Sequence, residues 1–434
     1  MMNISMIKTA GLRRMLRPAA NMAMMIMMAA LMGGNIAWAQ AAGSLDTAFG
    51  TGGTVSTSFG NPDIFPVGAF EQSNGDIVVI STVDAGSTLA TDIGLARYTS
   101  AGVLDTTFGR NGTTTTTVTG LNVAVADFAV QSNGDILVVG TGTVDIDGGT
   151  VVLVRYKANG SLDKTFGSEG IVTTATGGTD DVATVLLLQP NGQFVVGAFQ
   201  GASSNKGTGA GTQLVRYNSD GSLDTTFGTG GISVVQSPKL AGPAALALQK
   251  NGDYLALGSN VVEFSSTGEL LSGLTTSALV ATNLPFSNCC NPAIFTPNGE
   301  FLLTSVVSPT VATGSVQSLN GTPKVDVEVS RFTAKGKKDS TFTLTPISFT
   351  VTPEDDQPQI IALQANGQIL IGGLDNTAGA FARLNADGTL DTTFGTGGVV
   401  STASLASLLV QTDGNIVAIG SNAGDLVLAR YFGN

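Results

Sequence analysis

One phrase returns seven times along the 434 residues of this chain. It is a short apolar run, a Gln or Pro just ahead of Asn-Gly or Asp-Gly, a second apolar run, and an Arg-aromatic run leading into Leu-Asp-x-Thr-Phe-Gly. The turn glycines are Gly75, Gly134, Gly192, Gly252, Gly299, Gly367 and Gly414, spaced by 59, 58, 60, 47, 68 and 47 residues. Such a period marks an array of one supersecondary unit, each copy unable to bury its own faces without neighbours.

The second repeat shows what the unit is. From Val123 it reads VAVADFAV, QSNGD, ILVVG: two apolar runs around Asn-Gly, the strongest short-range hairpin signal. Residues 151–167 read VVLVRY, KANG, SLDKTFG and predict a second hairpin, with SLDKTFG as the fourth strand. Seven such units predict an all-β fold, a seven-bladed β-propeller of four-stranded antiparallel blades over residues 40–434. The segment GSLDTAFG at 43–50 is the last part of a repeat, and DLVLARYFGN at 425–434 stops where that part is due. Residues 44–50 are therefore expected to pair with 425–432 and close the ring, leaving no exposed sheet edge.

The pattern LxRYxxDGSLDxTFGxxG followed by LQxNGxxLVxG resembles the delta-60 repeat, a bacterial tandem repeat slightly under sixty residues long. Counted by the LDxTFG phrase, copies 1 to 4 and 7 carry the likeness. Copies 5 (FSSTGELLSG, from Phe264) and 6 (RFTAKGKKDSTFT, from Arg331) are degenerate. The resemblance implies a secreted or envelope propeller with no common activity, so function has to be argued from sites.

Residues 1–39 read as a signal peptide. Lys8, Arg13, Arg14 and Arg17 precede a Met-rich apolar run at 19–32, and Ala37-Trp38-Ala39 forms a small-x-small cleavage site. The run is too short for a membrane span, and LRRMLRP lacks the remainder of a twin-arginine signal. The expected address is the periplasm or the medium. The leader holds four of the 20 basic residues and none of the 32 acidic ones, so the mature balance is −16. That charge disfavours nucleic acid and anionic lipid as partners. No histidine occurs, which excludes Ser-His-Asp and Cys-His catalysis, His-ligated metals and a histidine pH switch.

Six third strands carry an Arg with an Asp eight residues later: Arg97 and Asp105, Arg155 and Asp163, Arg216 and Asp224, Arg331 and Asp339, Arg383 and Asp391, and, across the closed ring, Arg430 and Asp46. The remaining copy has Glu263 and Leu271, so both partners are lost together, as expected of a pair that touches. A structural ion pair, with Asp also bonding turn amides, is the expected role.

Strand direction puts the xNGx and xxDGSLD turns on one face and the connections between strands two and three, and between blades, on the other. These latter loops vary strongly, as in QGASSNKGTGAGT at 200–212 and VVSPTVATGSVQSLNGTPKVD at 306–326. Recognition usually sits on variable loops held by a scaffold. Counting back from the turn glycines puts Asp63, Asp180, Asp181, Asp355 and Asp356 at the channel mouth on that face. They are candidates for a ligand or calcium, or for turn caps facing water. Asp145-x-Asp147-Gly148 resembles a calcium-loop fragment without the remaining acidic ligands. Adjacent Cys289 and Cys290 are open to a vicinal disulfide, an intermolecular bridge or two thiols. The expected function is a non-enzymatic scaffold binding a glycan, peptide or envelope protein. The alternative is a glycosidase or lyase using a pair among Asp180, Asp181, Asp355 and Asp356.

Overall fold

The computed structural model describes residues 40–60, 63–86, 90–144, 147–178, 181–201, 210–236, 242–258, 261–274, 293–307, 326–334, 336–343, 346–349, 356–375 and 378–434. Residues 42–434 form one compact unit. It is all-β: seven antiparallel sheets follow one another around a ring as the blades of a propeller. Blade 1 comprises Ile64–Glu71, Ile77–Asp84, Thr91–Tyr98 and Thr113–Thr116 from centre to rim. Its second strand, IVVISTVD, is buried along nearly its whole length. Blades pack on both its faces, so it reads as a continuous apolar run rather than an alternating one. The tight hairpin before it needs a left-handed residue, and Gly75 supplies φ 85° while its N–H donates to Gln72 O at 2.8 Å.

Each of the seven junctions between blades holds its own apolar cluster. Ile64–Glu71 of blade 1 packs beside Ser407–Val410 of blade 7, so the ring is closed. The closing strand is Thr54–Thr57, which pairs with residues 426–429 from Thr54 opposite Ala429 to Thr57 opposite Leu426. This corrects the expected 44–50, of which Leu45 alone bridges Tyr431. The reason is local and recurs in every complete copy. LDxTFGxxG coils into a turn, with Phe49 N–H on Asp46 O and Gly53 N–H on Phe49 O, so the fourth strand begins only after it. In blade 2 that strand is accordingly Ile171–Thr174, not the predicted SLDKTFG.

The degenerate copies 5 and 6 fall in blades 4 and 5. In blade 4 the chain leaves Val261–Phe264, turns through 265–268 and enters Leu270–Leu274 directly. The LDxTFG loop is omitted, and Leu271 lies within the fourth strand rather than at an Asp-equivalent place. The described residues of blade 5 form three strands, Ala293–Phe295, Phe301–Val307 and Asp326–Phe332. Where a fourth would run, Ile347 and Val327 exchange two backbone bonds of 2.8 and 2.9 Å.

Candidate functional site

The repeat Arg and Asp side chains meet in all six copies that carry them. Nε of Arg97, Arg155, Arg216, Arg331, Arg383 and Arg430 donates to Oδ2 of its Asp at 2.8 to 2.9 Å. Each guanidinium also lies 4.4 to 4.9 Å from the centroid of the Phe ring of the same LDxTFG turn. Its Nη1 reaches into the next blade, to the carbonyl of Ala158, Ser219, Ser266, Ala386, Gly433 or Ser100. One planar cation thus braces its own blade and clips the neighbour. The Thr107 hydroxyl and amide, with Arg97, hold the Asp105 carboxyl below the usual range. Asp339 sits at about 2, chiefly through Thr341 and then Arg331. At Asp163 and Asp391, burial opposes the charge and is outweighed by the following Thr and the Arg. All three nitrogens of each guanidinium already serve the Asp, its turn or the next blade, so the network is architecture.

The channel-mouth carboxylates do not assemble into a described site. Asp63 is exposed, and its carbonyl accepts Asp84 N–H at 3.0 Å. Asp181 is 1 % exposed. Its oxygens accept the Thr176 hydroxyl, Gly178 N–H at 2.8 Å and Gly201 N–H at 3.2 Å, which is the bonding of a turn cap. Asp147 and Asp356 begin the strands Asp147–Tyr156 and Asp356–Leu363, while their side chains lie outside the described residues. Asp145, Asp180, Asp355, Cys289 and Cys290 lie outside them altogether. Among the described residues, no group of three His, Cys, Asp or Glu side chains could hold a metal ion, and no helix is long and apolar enough to cross a membrane.

A cavity of about 860 Å³ opens instead on the opposite face, where the inner strands of blades 5, 6 and 7 end. Phe295, Leu363 and Val410, each four residues before a turn glycine, form its apolar floor. The three Asn-Gly or Asp-Gly turns form its rim, together with Glu300 and Arg331. The cause is legible in the repeat. Three residues before each turn glycine stand Gln72, Gln131, Gln189, Gln249, Gln364 and Gln411, but Thr296 in blade 5. Two side-chain atoms fewer at Thr296 leave space beside Gln364.

The glutamines at this position differ in how they are bonded. In blade 1, Gln72 is fully used: Nε2 donates to Ala158 O at 3.1 Å, and Oε1 accepts Arg97 Nη1 at 3.2 Å. Gln364 and Gln411 are 6 % and 4 % exposed, yet Oε1 of each has no hydrogen-bond partner. Gln411 Nε2 donates to Glu71 Oε1 at 3.3 Å, and this carboxylate fixes which way the amide points. Both Gln residues line the cavity. A buried acceptor without a donor costs about 1–3 kcal/mol.

Sequence reading also passed over Asp127, which sits at a β-bulge in the inner strand Asn122–Val130 of blade 2. Its Oδ2 accepts Leu186 N–H of blade 3 and its Oδ1 accepts Phe128 N–H, both at 2.8 Å. Burial outweighs these bonds and raises its carboxyl to about 6.

The fold and the repeat together define a seven-bladed β-propeller. The family described as "Domain of unknown function (DUF5122) beta-propeller" matches residues 72–108, 131–166, 189–227 and 364–394. Each match runs from the first turn of a blade to its LDxTFG turn. The matches skip blades 4 and 5, where the phrase is degenerate, and blade 7, whose phrase is split between the two ends of the propeller. No curated protein matches the chain. Among solved structures, a catalytically inactive virginiamycin B lyase from Staphylococcus aureus with quinupristin is similar at 12% identity and TM-score 0.45, covering 86% of this chain and 98% of that one. A polysaccharide lyase is similar at 13% identity and TM-score 0.43, covering 85% and 90%. A protein from Lactobacillus plantarum is similar at 13% and 0.43, covering 82% and 96%.

Proposed function

We propose that this protein is an exported β-propeller that works by binding, and that the cavity between blades 5, 6 and 7 is its ligand site. The observation that carries the reading is the cavity of about 860 Å³ itself, an apolar floor ringed by the polar turns of three blades. Convergent polar groups above apolar lining are the usual make-up of a small-molecule site. The groups on this lining are amides, a committed Arg and carboxylates at the rim, which suit recognition more than covalent chemistry. Export to the periplasm or medium rests on the leader at 1–39. The variable face is the proposed platform for a glycan, peptide or envelope protein, with calcium as a candidate ion there.

The test is a ligand-observed NMR screen of a small-molecule panel against mature chain 40–434 and its Thr296→Gln variant. Replacing Thr296 by the Gln that six other repeats carry narrows the cavity with a side chain the fold already accepts. Ligands that bind the parent and lose binding at least tenfold in the variant support the reading. A panel whose every hit binds both proteins equally rejects it.

A further inference from the structure

Blade 5 departs from the repeat at Thr296, Asn298 and Glu300, and all three line the cavity. In blade 1, Arg97 Nη1 serves both Gln72 Oε1 and Ala158 O, at 3.2 and 3.3 Å. In blade 5 the place of Gln72 is taken by Thr296, whose hydroxyl turns to Glu300 O at 3.0 Å. Among the described residues, Arg331 Nη1 accordingly donates to Ala386 O alone, at 3.0 Å, while Nε and Nη2 serve Asp339 at 2.8 and 2.7 Å. A guanidinium carries two N–H groups on each terminal nitrogen, so one on Nη1 and one on Nη2 stay unspent.

The turn Asn differs too. In blades 1 to 4 and in blade 6 its Nδ2 is spent on the side chain two residues on, as Asn74 is on Asp76 at 2.7 Å. Asn298 makes no such bond. Its Oδ1 accepts Glu300 N–H at 3.3 Å, and its Nδ2 has no partner among the described residues. The Glu300 carboxylate stands instead 4.0 Å from Arg331 Nε, a guanidinium already neutralised by Asp339.

The wall of the cavity therefore sets unspent N–H donors of Arg331 and Asn298 beside an unspent carboxylate of Glu300. A carboxylate or phosphate would meet those donors but also the like charge of Glu300 and of Asp413 at the rim. An ammonium would meet the carboxylates and leave the N–H groups facing it without acceptors. A hydroxyl both donates and accepts. One hydroxyl can serve Glu300 and Arg331 together, and its neighbour on the same ring can serve Asn298. The floor of Phe295, Leu363 and Val410 asks for an apolar face on the same ligand, and an aromatic face attracts the C–H groups of such a ring.

Resting on the binding reading above, we propose that the cavity takes a neutral saccharide. Its hydroxyls donate to Glu300 and accept from Arg331 and Asn298, while its C–H face lies on Phe295. The chemistry has two sources, a free sugar or a unit of a polysaccharide. The site lies on the face of the short hairpin turns, opposite the variable loops.

Calorimetry and ligand-observed NMR on the mature chain compare neutral tetrasaccharides (cellotetraose, xylotetraose, mannotetraose, maltotetraose and N-acetylchitotetraose) with charged ones, tetragalacturonate and the deacetylated chitin tetramer. At least one neutral member is expected to bind, and to bind at least tenfold tighter than either charged one. Thr296→Gln should abolish that binding, because it narrows the cavity and gives Arg331 the acceptor that Gln72 gives Arg97. Asn298→Asp keeps the turn acceptor and removes the N–H donors, and Glu300→Ala removes the carboxylate; each should weaken binding at least fivefold. Tighter binding of the tetrasaccharide than of the methyl glycoside of its monomer assigns a polysaccharide source, and equal binding assigns a free sugar. If a charged member binds as tightly as the neutral ones and Thr296→Gln abolishes it, the cavity is a ligand site but the saccharide assignment is wrong. A neutral saccharide whose binding survives Thr296→Gln, or survives both Asn298→Asp and Glu300→Ala, sits elsewhere and overturns the proposal. If no saccharide binds, the proposal falls while hits of the small-molecule panel that are lost in Thr296→Gln still uphold the cavity as a site; if neither set binds, both readings fall.

Discussion

Arg155 shows how much one repeat residue holds. Its guanidinium is paired with Asp163 at 2.8 Å, stacks 4.5 Å from the Phe166 centroid and donates to Ser219 O of the next blade. Asp163→Ala is expected to lower stability by about 1–3 kcal/mol, because it removes a charge-assisted bond and leaves the buried side of Arg155 unpaired. Arg155→Lys should cost a similar amount, since an ammonium cannot make the fork and the stack together. Urea midpoints at constant m-value measure both, and a loss below about 0.3 kcal/mol in either would sink this account. Asp127 carries the opposite sign. Its carboxyl rises from 3.8 unfolded to about 6 folded, so the stability it supplies is complete below pH 3.8 and is lost as pH rises through 6. The destabilisation caused by Asp127→Ala should therefore be larger at pH 4.5 than at pH 7.5, by about 1–3 kcal/mol.

At the scale of strands and turns, blade 4 is where the ring is least braced. Glu263 stands in the place of the repeat Arg and accepts Gln249 Nε2 at 3.0 Å, and the omitted LDxTFG turn brings no Phe ring. Described residues of the cluster between blades 4 and 5 accordingly include no such Phe, whereas each of the other six clusters contains one. Opening of native structure tracks local packing and bonding. Amides of Val261–Phe264 should therefore exchange with deuterium faster than those of the equivalent strand Gly211–Tyr217 in blade 3. Equal protection in the two strands would show that the Arg clip and the Phe ring add nothing to blade cohesion.

For the molecule as a whole, closure depends on Thr54–Thr57 completing blade 7. A chain shortened to begin after residue 57 loses that strand, the Asp46 partner of Arg430 and the Phe49 ring of the blade 7–1 cluster together. It should melt at least 10 °C lower and associate through the bared edge of residues 425–431. Light scattering and a melting curve would show this. Stability should also peak between about pH 4 and 5. Below that range the Asp carboxyls of the Arg network, whose folded values are depressed, lose their contribution as pH falls below 3.8. Above it, Asp127 loses its contribution through pH 6. Urea midpoints at pH 2.5, 4.5 and 7.5 check both limbs.

Periodicity alone determined the blade count, the hairpin turns and the Arg–Asp partners, because a fixed spacing across a hairpin is a local property that repeats. It also pointed to closure of the ring, though not to the residues that close it: a TFG segment with strand-like composition coils under its own turn bonds. The site was written faintly, as Thr296 in a column of glutamines. What that substitution does depends on which groups its neighbours already bond. Gln72 Oε1 accepts Arg97 Nη1, which also serves Ala158 O, whereas Gln364 Oε1 and Gln411 Oε1 have no donor. Whether an amide oxygen finds a donor is a contest among partners brought together from distant blades, and only the tertiary structure decides it.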